Sequence, residues 1–462
     1  MKVDAFELFL KQKRFDLIFK YLYIKKRHKA PAFYKELYCE HIRAFNGFFE
    51  IEPSDGLPKN TPECFIESYN SLHDSIKSKG YISEIGKIPI GKNGEISDGA
   101  HRLTVAALLG LKVEVEDDGR NDLYDYRFFK KQGLRTEIAD YGAYEYVKLN
   151  PNAYIVNLHS IAPVEKDPDV EKILEKYGTV YYQKDIHLTF NGYVNLKKIS
   201  YGSFWERESW IGNPQNKFAG AQMHARKSMN ATTKTPLRAY VFVCDSIKKV
   251  LKAIEEIREL ERLGNFSVHI NDSWEEAICL AGIYFNDNSL HILNRRPFEI
   301  ETRKLDDLIE QLKKEARAQS VNLDDICGAG STPLNVAGVR ESDDLDFLYA
   351  GETPFYIPDG DLSNHSSELR FYPYEAREII HNPINHFYYN GLKFISLDVL
   401  FKMKMKRNEI PKDVNDIKLI KKIIRSKERA PFRFIRKVRT HDRKMIVICD
   451  FLKLTYKKIK HI

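Results

Sequence analysis

The chain is poor in the residues that staple small folds or anchor membrane proteins. Cysteine occurs six times in 462 residues, at positions 39, 64, 244, 279, 327 and 449, with no C-x-x-C pair and no Cys/His spacing of a zinc site. A disulfide framework is therefore excluded, and a reducing, cytoplasmic compartment is expected. No stretch approaches the ~20 consecutive apolar residues of a membrane-spanning helix. The opening MKVDAFELFLKQKRF interrupts its apolar residues with charge too early for a signal peptide. Internal repeats and low-complexity segments are lacking as well. What is present, 43% hydrophobic and 30% charged residues, describes a globular chain long enough for two or three domains.

Charge is unevenly placed. Residues 421–462 carry fifteen Lys/Arg against Glu428, Asp442 and Asp450, a local +12 within a net +8, so the remainder sums to −4. An acidic body argues against a DNA partner, whereas a basic tail interleaved with Phe432, Phe434, Ile435 and Val438 suits peripheral contact with an anionic membrane face.

The chemistry concentrates in ICGAGSTPLNVAGVRESDDLDFLY, residues 326–349. An apolar lead-in runs into Gly330-Ser331, and beyond twelve intervening residues stands Asp344-Leu345-Asp346 on an apolar stretch. Residues i and i+2 of a strand face one side, so two carboxylates there repel unless a divalent cation lies between them. A Gly-Ser turn lets backbone N–H groups approach a phosphate closely. This pattern resembles the nucleotidyltransferase (polymerase beta-like) superfamily. The resemblance implies that Gly330 and Ser331 bind the triphosphate of ATP or another NTP, and that Asp344 and Asp346 are catalytic and bind Mg²⁺. Arg340 adds charge beside the site. The third carboxylate usual in the family has one candidate, Glu368 in SSELRFY.

A second signal lies upstream. KIPIGKNGEISDGAHRLTVAALLGLKVEVE reads as strand, Asn93-Gly94 turn, short strand, loop, helix, Gly110 stop and strand, after a helix begun by Thr61-Pro62 and ended by Gly80. Asp98-Gly99-Ala100-His101-Arg102 opens the helix, and a helix start with Gly, Arg and His beside it suits phosphate. The string resembles the ParB/sulfiredoxin fold, some members of which are kinases of small hydroxyl substrates. The resemblance implies that Asp98, Gly99 and Arg102 hold a nucleotide and that His101 is catalytic, with Glu50 or Glu52 as a base. The competing reading makes Asp98 a helix cap and Arg102 half of an ion pair. No helix-turn-helix follows.

Elsewhere the sequence predicts one helix over 4–28, a turn at Asn191-Gly192, a helix from Ile247 to Leu263 and a cap at Asp272 or Ser273. Two polar groups in the middle third are ligand-binding candidates: His269, Asn271, Asp272 and Glu276, and Trp205, Glu206, Glu208 and Trp210, whose aromatic-acidic character suits a sugar. Capping and packing are the alternative. DGDLSNHSSEL reads as a loop, and helices are expected over 397–407 and 413–424. Lys402, Lys406 and Arg407, then Lys412-Asp413 and Asp416, are similar to the rear helices of small nucleotidyltransferases, where bases face the triphosphate and acids hold the helices together.

The expected architecture is α/β (α+β): a helical extension over 1–47, a ParB/sulfiredoxin-like domain over 48–165, an unassigned α/β region over 166–300, a nucleotidyltransferase-like mixed sheet with helices over 301–425, and a basic tail over 426–462. The expected function is Mg²⁺-dependent nucleotidyl or phosphoryl transfer to a small polar, sugar- or polyol-like substrate in bacterial surface-polysaccharide synthesis. The rivals are a kinase centred on Asp98–Arg102 and a non-enzymatic nucleotide-responsive scaffold.

Overall fold

The structure, a computed structural model, describes residues 2–50, 59–82, 86–201, 209–230, 235–358 and 360–428. Glu52, Trp205, Glu206, Glu208 and the tail beyond 428 lie outside them. Helix and sheet are mixed throughout, as an α/β chain requires, with three sheets in succession. Two compact units divide the chain: Met1–Leu369 with Tyr374–Ser396, and Arg370–Pro373 with Leu397–Ile462.

The first sheet holds β1 (Lys2–Asp4), β2 (Ile88–Ile90) and β3 (Lys112–Asp117) in the order β1-β3-β2. β1 is antiparallel to β3, and β2 is parallel to it, so the helix Ala100–Leu108 is the crossover between β2 and β3. Thr61 caps the helix Pro62–Lys79, and Gly80 ends it with φ +75°, as the sequence predicts.

The single helix expected over 4–28 is two, Ala5–Lys11 and Asp16–Lys26. The break is made by residues whose polar groups serve the loop ahead of Asp98 instead of a continuous helix. The backbone N–H of Ile96 donates to Gln12 Oε1 at 2.6 Å, that of Lys13 donates to Glu95 Oε2 at 2.8 Å, and Arg14 donates to the carbonyls of Ile96 and Ser97. The first 47 residues thus share the core of the first sheet, with Phe9, Phe15, Phe19, Tyr34 and Tyr38 fully enclosed.

The second sheet comprises β4 (Ala153–Leu158), β5 (Thr179–Ile186), β6 (Leu237–Val243) and β7 (Val268–Ile270), antiparallel throughout in the order β5-β6-β4-β7. Asn191-Gly192 does not turn the chain. It lies in the helix Phe190–Ser200, which Thr189 caps. The doublet serves packing: a β-carbon on Gly192 would stand 2.2 Å from Asn294 Oδ1, while Asn191 Nδ2 donates to the Arg296 carbonyl at 2.6 Å.

The third sheet is mixed. Its strands are β8 (Ile326–Gly328), β9 (Leu345–Tyr349), β10 (Leu362–Asn364), β11 (His386–Tyr389) and β12 (Leu392–Ile395), ordered β10-β9-β8-β12-β11. β10 forms inside the segment expected to be a loop, because a parallel neighbour supplies its hydrogen bonds: Ser363 pairs in register with Asp346, and Leu345 N–H donates to the Asp361 carbonyl at 2.8 Å. Ahead of β8, Asp324 pairs with Lys148 and Asp325 with Lys29, tying this sheet to the N-terminal helices.

In the second unit the helices Leu397–Arg407 and Lys412–Glu428 clasp a buried charge cluster. Lys404 donates to Asp413 at 3.0 Å and lies 2.8 Å from Asp416, and Arg407 Nε donates to Asp413 at 2.9 Å. Among the described residues no helix is long and apolar enough to cross a membrane, and the five described cysteines are unpaired thiols.

Candidate functional site

The Gly-Ser turn and Asp346 meet. β8 delivers the chain to Gly330, whose φ of +56° is left-handed, and β9 runs antiparallel beside it. The Ala329 N–H donates to the Asp346 carbonyl at 2.7 Å. A β-carbon on Gly330 would fall 1.9 Å from Asp346 Oδ2, so only glycine fits. Asp346 Oδ1 accepts a 2.7 Å hydrogen bond from Ser363, and His365 Nε2 stands 3.9 Å from Oδ2. Ser363 and His365 were missed because their segment reads as a loop; pairing with β9 puts them beside the carboxylate. Asp344 immediately precedes β9 and is exposed, whereas the Asp346 side chain retains 16% exposure. Ser331 follows the turn half-buried, and Arg340 donates to the Glu341 carbonyl. Glu368 lies in the 3₁₀ segment His365–Phe371.

A carboxylate beside a glycine turn, with Asp344 two residues before it in the chain, is a donor set that Mg²⁺ accepts, because it takes one or two carboxylates and completes its shell with phosphate and water. Among the described residues no cluster of three or more His, Cys, Asp or Glu side chains is gathered for a metal.

At the N-terminal loop, Gly99 takes φ +77° and opens the helix Ala100–Leu108 without a side-chain cap. A β-carbon there would meet Ile88 Cδ1 at 2.8 Å. Asp98 does not cap the helix; its exposed carboxylate pairs with Arg102 at 3.3 Å, and Arg102 also donates to the Lys87 carbonyl at 3.2 Å. His101 turns inward. Its Nε2 lies 2.9 Å from the Tyr38 hydroxyl and its ring stacks edge-on against Tyr69 at 4.5 Å. Burial, with Lys20 nearby, holds its pKa well below the ordinary histidine value, so the ring is neutral at physiological pH. Glu50 bridges to Lys59, with side chains 3.5 Å apart.

Sequence reasoning did not foresee that a groove of about 1170 Å³ would gather much of the middle-region polar set. Trp210, His224, His269, Asp272 and Glu276 line it, together with Asn390 of the β11–β12 turn. Ser273 caps the helix Trp274–Tyr284, and Glu276 Oε2 accepts from the Asp272 N–H at 2.8 Å. Asn271 is spent on structure, accepting from the Ile155 N–H at 2.6 Å and donating to the Ser273 carbonyl.

Lys402 and Lys406 are exposed on the helix Leu397–Arg407 of the second unit, and Lys406 donates to the Arg370 carbonyl. Asp413 and Asp416 join the two helices of that unit through Lys404, a partner the sequence reading did not single out. Compared with protein-family models, curated proteins and solved structures, the chain matches none.

Proposed function

We propose that this chain is a Mg²⁺-dependent nucleotidyl- or phosphoryl-transfer enzyme acting on a small polar substrate, a sugar or polyol or its phosphate, in bacterial surface-polysaccharide synthesis. One observation carries the reading: the left-handed Gly330 turn is pressed against the carboxylate of Asp346, with a hypothetical β-carbon 1.9 Å from Oδ2. In this reading Asp344 and Asp346 hold the metal, Gly330 and Ser331 receive the phosphates of ATP or another NTP, and Arg340 supplies positive charge. Bound Mg²⁺ would neutralise phosphate charge as the substrate hydroxyl attacks. Ser363 orients Asp346 by its 2.7 Å hydrogen bond to Oδ1. The enzyme would work in the cytoplasm, with its basic tail against an anionic membrane face; salt-reversible co-sedimentation with anionic vesicles tests the tail.

The experiment is product analysis with labelled NTP and candidate sugar phosphates. Nucleotidyl transfer releases pyrophosphate, and Asp344→Asn and Asp346→Asn should each abolish turnover while leaving the fold intact. Wild-type turnover in both variants would remove this site from the mechanism. A second reading, a kinase at Asp98–Arg102, is favoured by the left-handed Gly99 at the helix start and would yield ADP instead.

A further inference from the structure

The groove lies apart from the Gly330 turn. β8 and β12 run parallel, with Lys393 beside Cys327 and Phe394 beside Gly328. Gly330 follows the C-terminal end of this pair, whereas Asn390-Gly391 precedes its N-terminal end. The groove that Asn390 and Gly391 help line therefore opens at the other end of the sheet.

Its lining holds polar atoms that the fold leaves unmet. Ser200 Oγ and Asn390 Nδ2 are enclosed without hydrogen-bond partners in residues only 8% exposed, and His269 Nε2, without a hydrogen bond, has Glu276 Oε1 only at 3.6 Å. Arg258 Nε, on another lining residue, is likewise without a hydrogen bond. An unmet buried polar group costs about 1–3 kcal/mol, and native interiors contain few. Such atoms, on residues that line one groove, mark a site suited to something that hydrogen-bonds. They include donors and acceptors, a demand that hydroxyl groups meet from both sides.

The lining is also aromatic, with the Tyr201 ring 4.7 Å from that of His269. Tyr201 and Trp210 lie 5.2 Å apart edge to face, Trp210 and His224 5.4 Å apart, and His224 and Phe266 4.9 Å apart. Trp210 keeps 36% exposure and Met223 43%, so apolar surface faces solvent beside the polar atoms. Burial, with Lys197 and His269 near, lowers the His224 pKa to about 3, which keeps that ring uncharged. The charged residues of the lining are five acids, Glu255, Asp272, Glu275, Glu276 and Glu310, against Arg258, Lys313 and Arg317. Lys313 is already paired with Glu310 at 2.7 Å. That balance repels a polyanion such as a nucleic acid or a polyphosphate. The volume, about 1170 Å³, exceeds the ~300–1,000 Å³ of ordinary small-molecule pockets and so suits a ligand of several linked units.

We infer that this groove is an oligosaccharide-binding site, distinct from the transfer site, in which Trp210 and its aromatic neighbours stack on the C–H faces of sugar rings while Ser200, His269, Glu276 and Asn390 bond their hydroxyls. A growing chain held here by an extended stretch would be retained between rounds of chemistry.

The test is calorimetry on the full-length protein with malto-, cello- and chito-tetraose as probes, and with tetra-alanine and tripolyphosphate as controls. At least one oligosaccharide should bind saturably at millimolar concentration or below. Asn390→Gly suits the left-handed backbone (φ +46°) and removes the amide, and should weaken that binding roughly tenfold or more. Trp210→Ala should do the same, and Asp344→Asn should leave it unchanged, so failure of the transfer-site reading would not affect this result. The inference is overturned if none of the three oligosaccharides binds. It is equally overturned if binding survives both Asn390→Gly and Trp210→Ala, or if only a control ligand binds.

Discussion

The carboxylate of Asp346 occupies the space that a side chain at position 330 would need: a β-carbon on Gly330 would sit 1.9 Å from its Oδ2, with the backbone at φ +56°. Gly330→Ala therefore incurs the left-handed penalty of about 1–2 kcal/mol and must also displace the carboxylate. It should lose turnover as completely as Asp346→Asn. Gly47→Ala, at φ +65° with nothing within 4 Å, is the comparison that isolates backbone strain. Its melting temperature should fall while its turnover stays at the wild-type level.

Asp16 lies between Arg14 at 2.9 Å and the ammonium of Lys20, with the three side chains at most 6% exposed. Removing one partner of a buried ionic cluster costs about 3–5 kcal/mol, which is the loss expected for Asp16→Asn in urea unfolding at neutral pH. Burial raises the Asp16 pKa, but attraction to Arg14 and Lys20 outweighs it and holds the carboxyl far below its ordinary 3.8. A depressed folded-state pKa contributes stability that is complete above the unfolded value and is lost as pH falls below it. The gap between wild type and Asp16→Asn should narrow as pH drops below 3.8. An equal gap at neutral and acid pH would remove the charge from the account.

Lys197 is 1% exposed, with Nζ 2.7 Å from His159 Nε2. Burial lowers its pKa well below 10.5, so the unfolded chain binds a proton that the folded protein resists. Stability then rises with pH until the unfolded lysine also deprotonates near 10.5. Lys197→Met removes this dependence. The melting temperature of the variant minus that of wild type should decrease as pH rises toward the ~10.4 of an unfolded lysine. A constant difference would contradict it.

Arg102 joins the Asp98 carboxylate at 3.3 Å to the Lys87 carbonyl at 3.2 Å. If this helix start holds a nucleotide, Arg102→Ala removes a charge-assisted contact of about 1.5–3 kcal/mol. Calorimetry with ATP in an Asp344→Asn background should then show affinity falling by one to two orders of magnitude. The Asp98 pair is partly exposed, so the melting temperature should move little. Unchanged affinity would leave the ion pair as the whole role of Arg102.

Signals that act within a few residues were legible in the sequence. Thr61 and Ser273 cap their helices and Gly80 ends one, because a cap or a left-handed φ is decided by the residue itself and its next three neighbours. The α/β character and the flanking of Gly330 and Asp346 by strands were readable for the same reason. Tertiary structure decided what depended on a distant partner. Asn191-Gly192 carries a turn signature, yet it lies in a helix because Asn294 and Arg296 pack against it. The N-terminal helix breaks at Gln12 because Glu95 and Ile96, more than eighty residues on, take up the polar groups of residues 12 and 13. β10 exists only because β9 offers it hydrogen bonds, and that pairing brings Ser363 to Asp346. The groove is the extreme case: its walls come from segments between Ile199 and Gly391, and no local pattern records which buried polar atoms a fold leaves unmet once those segments close together.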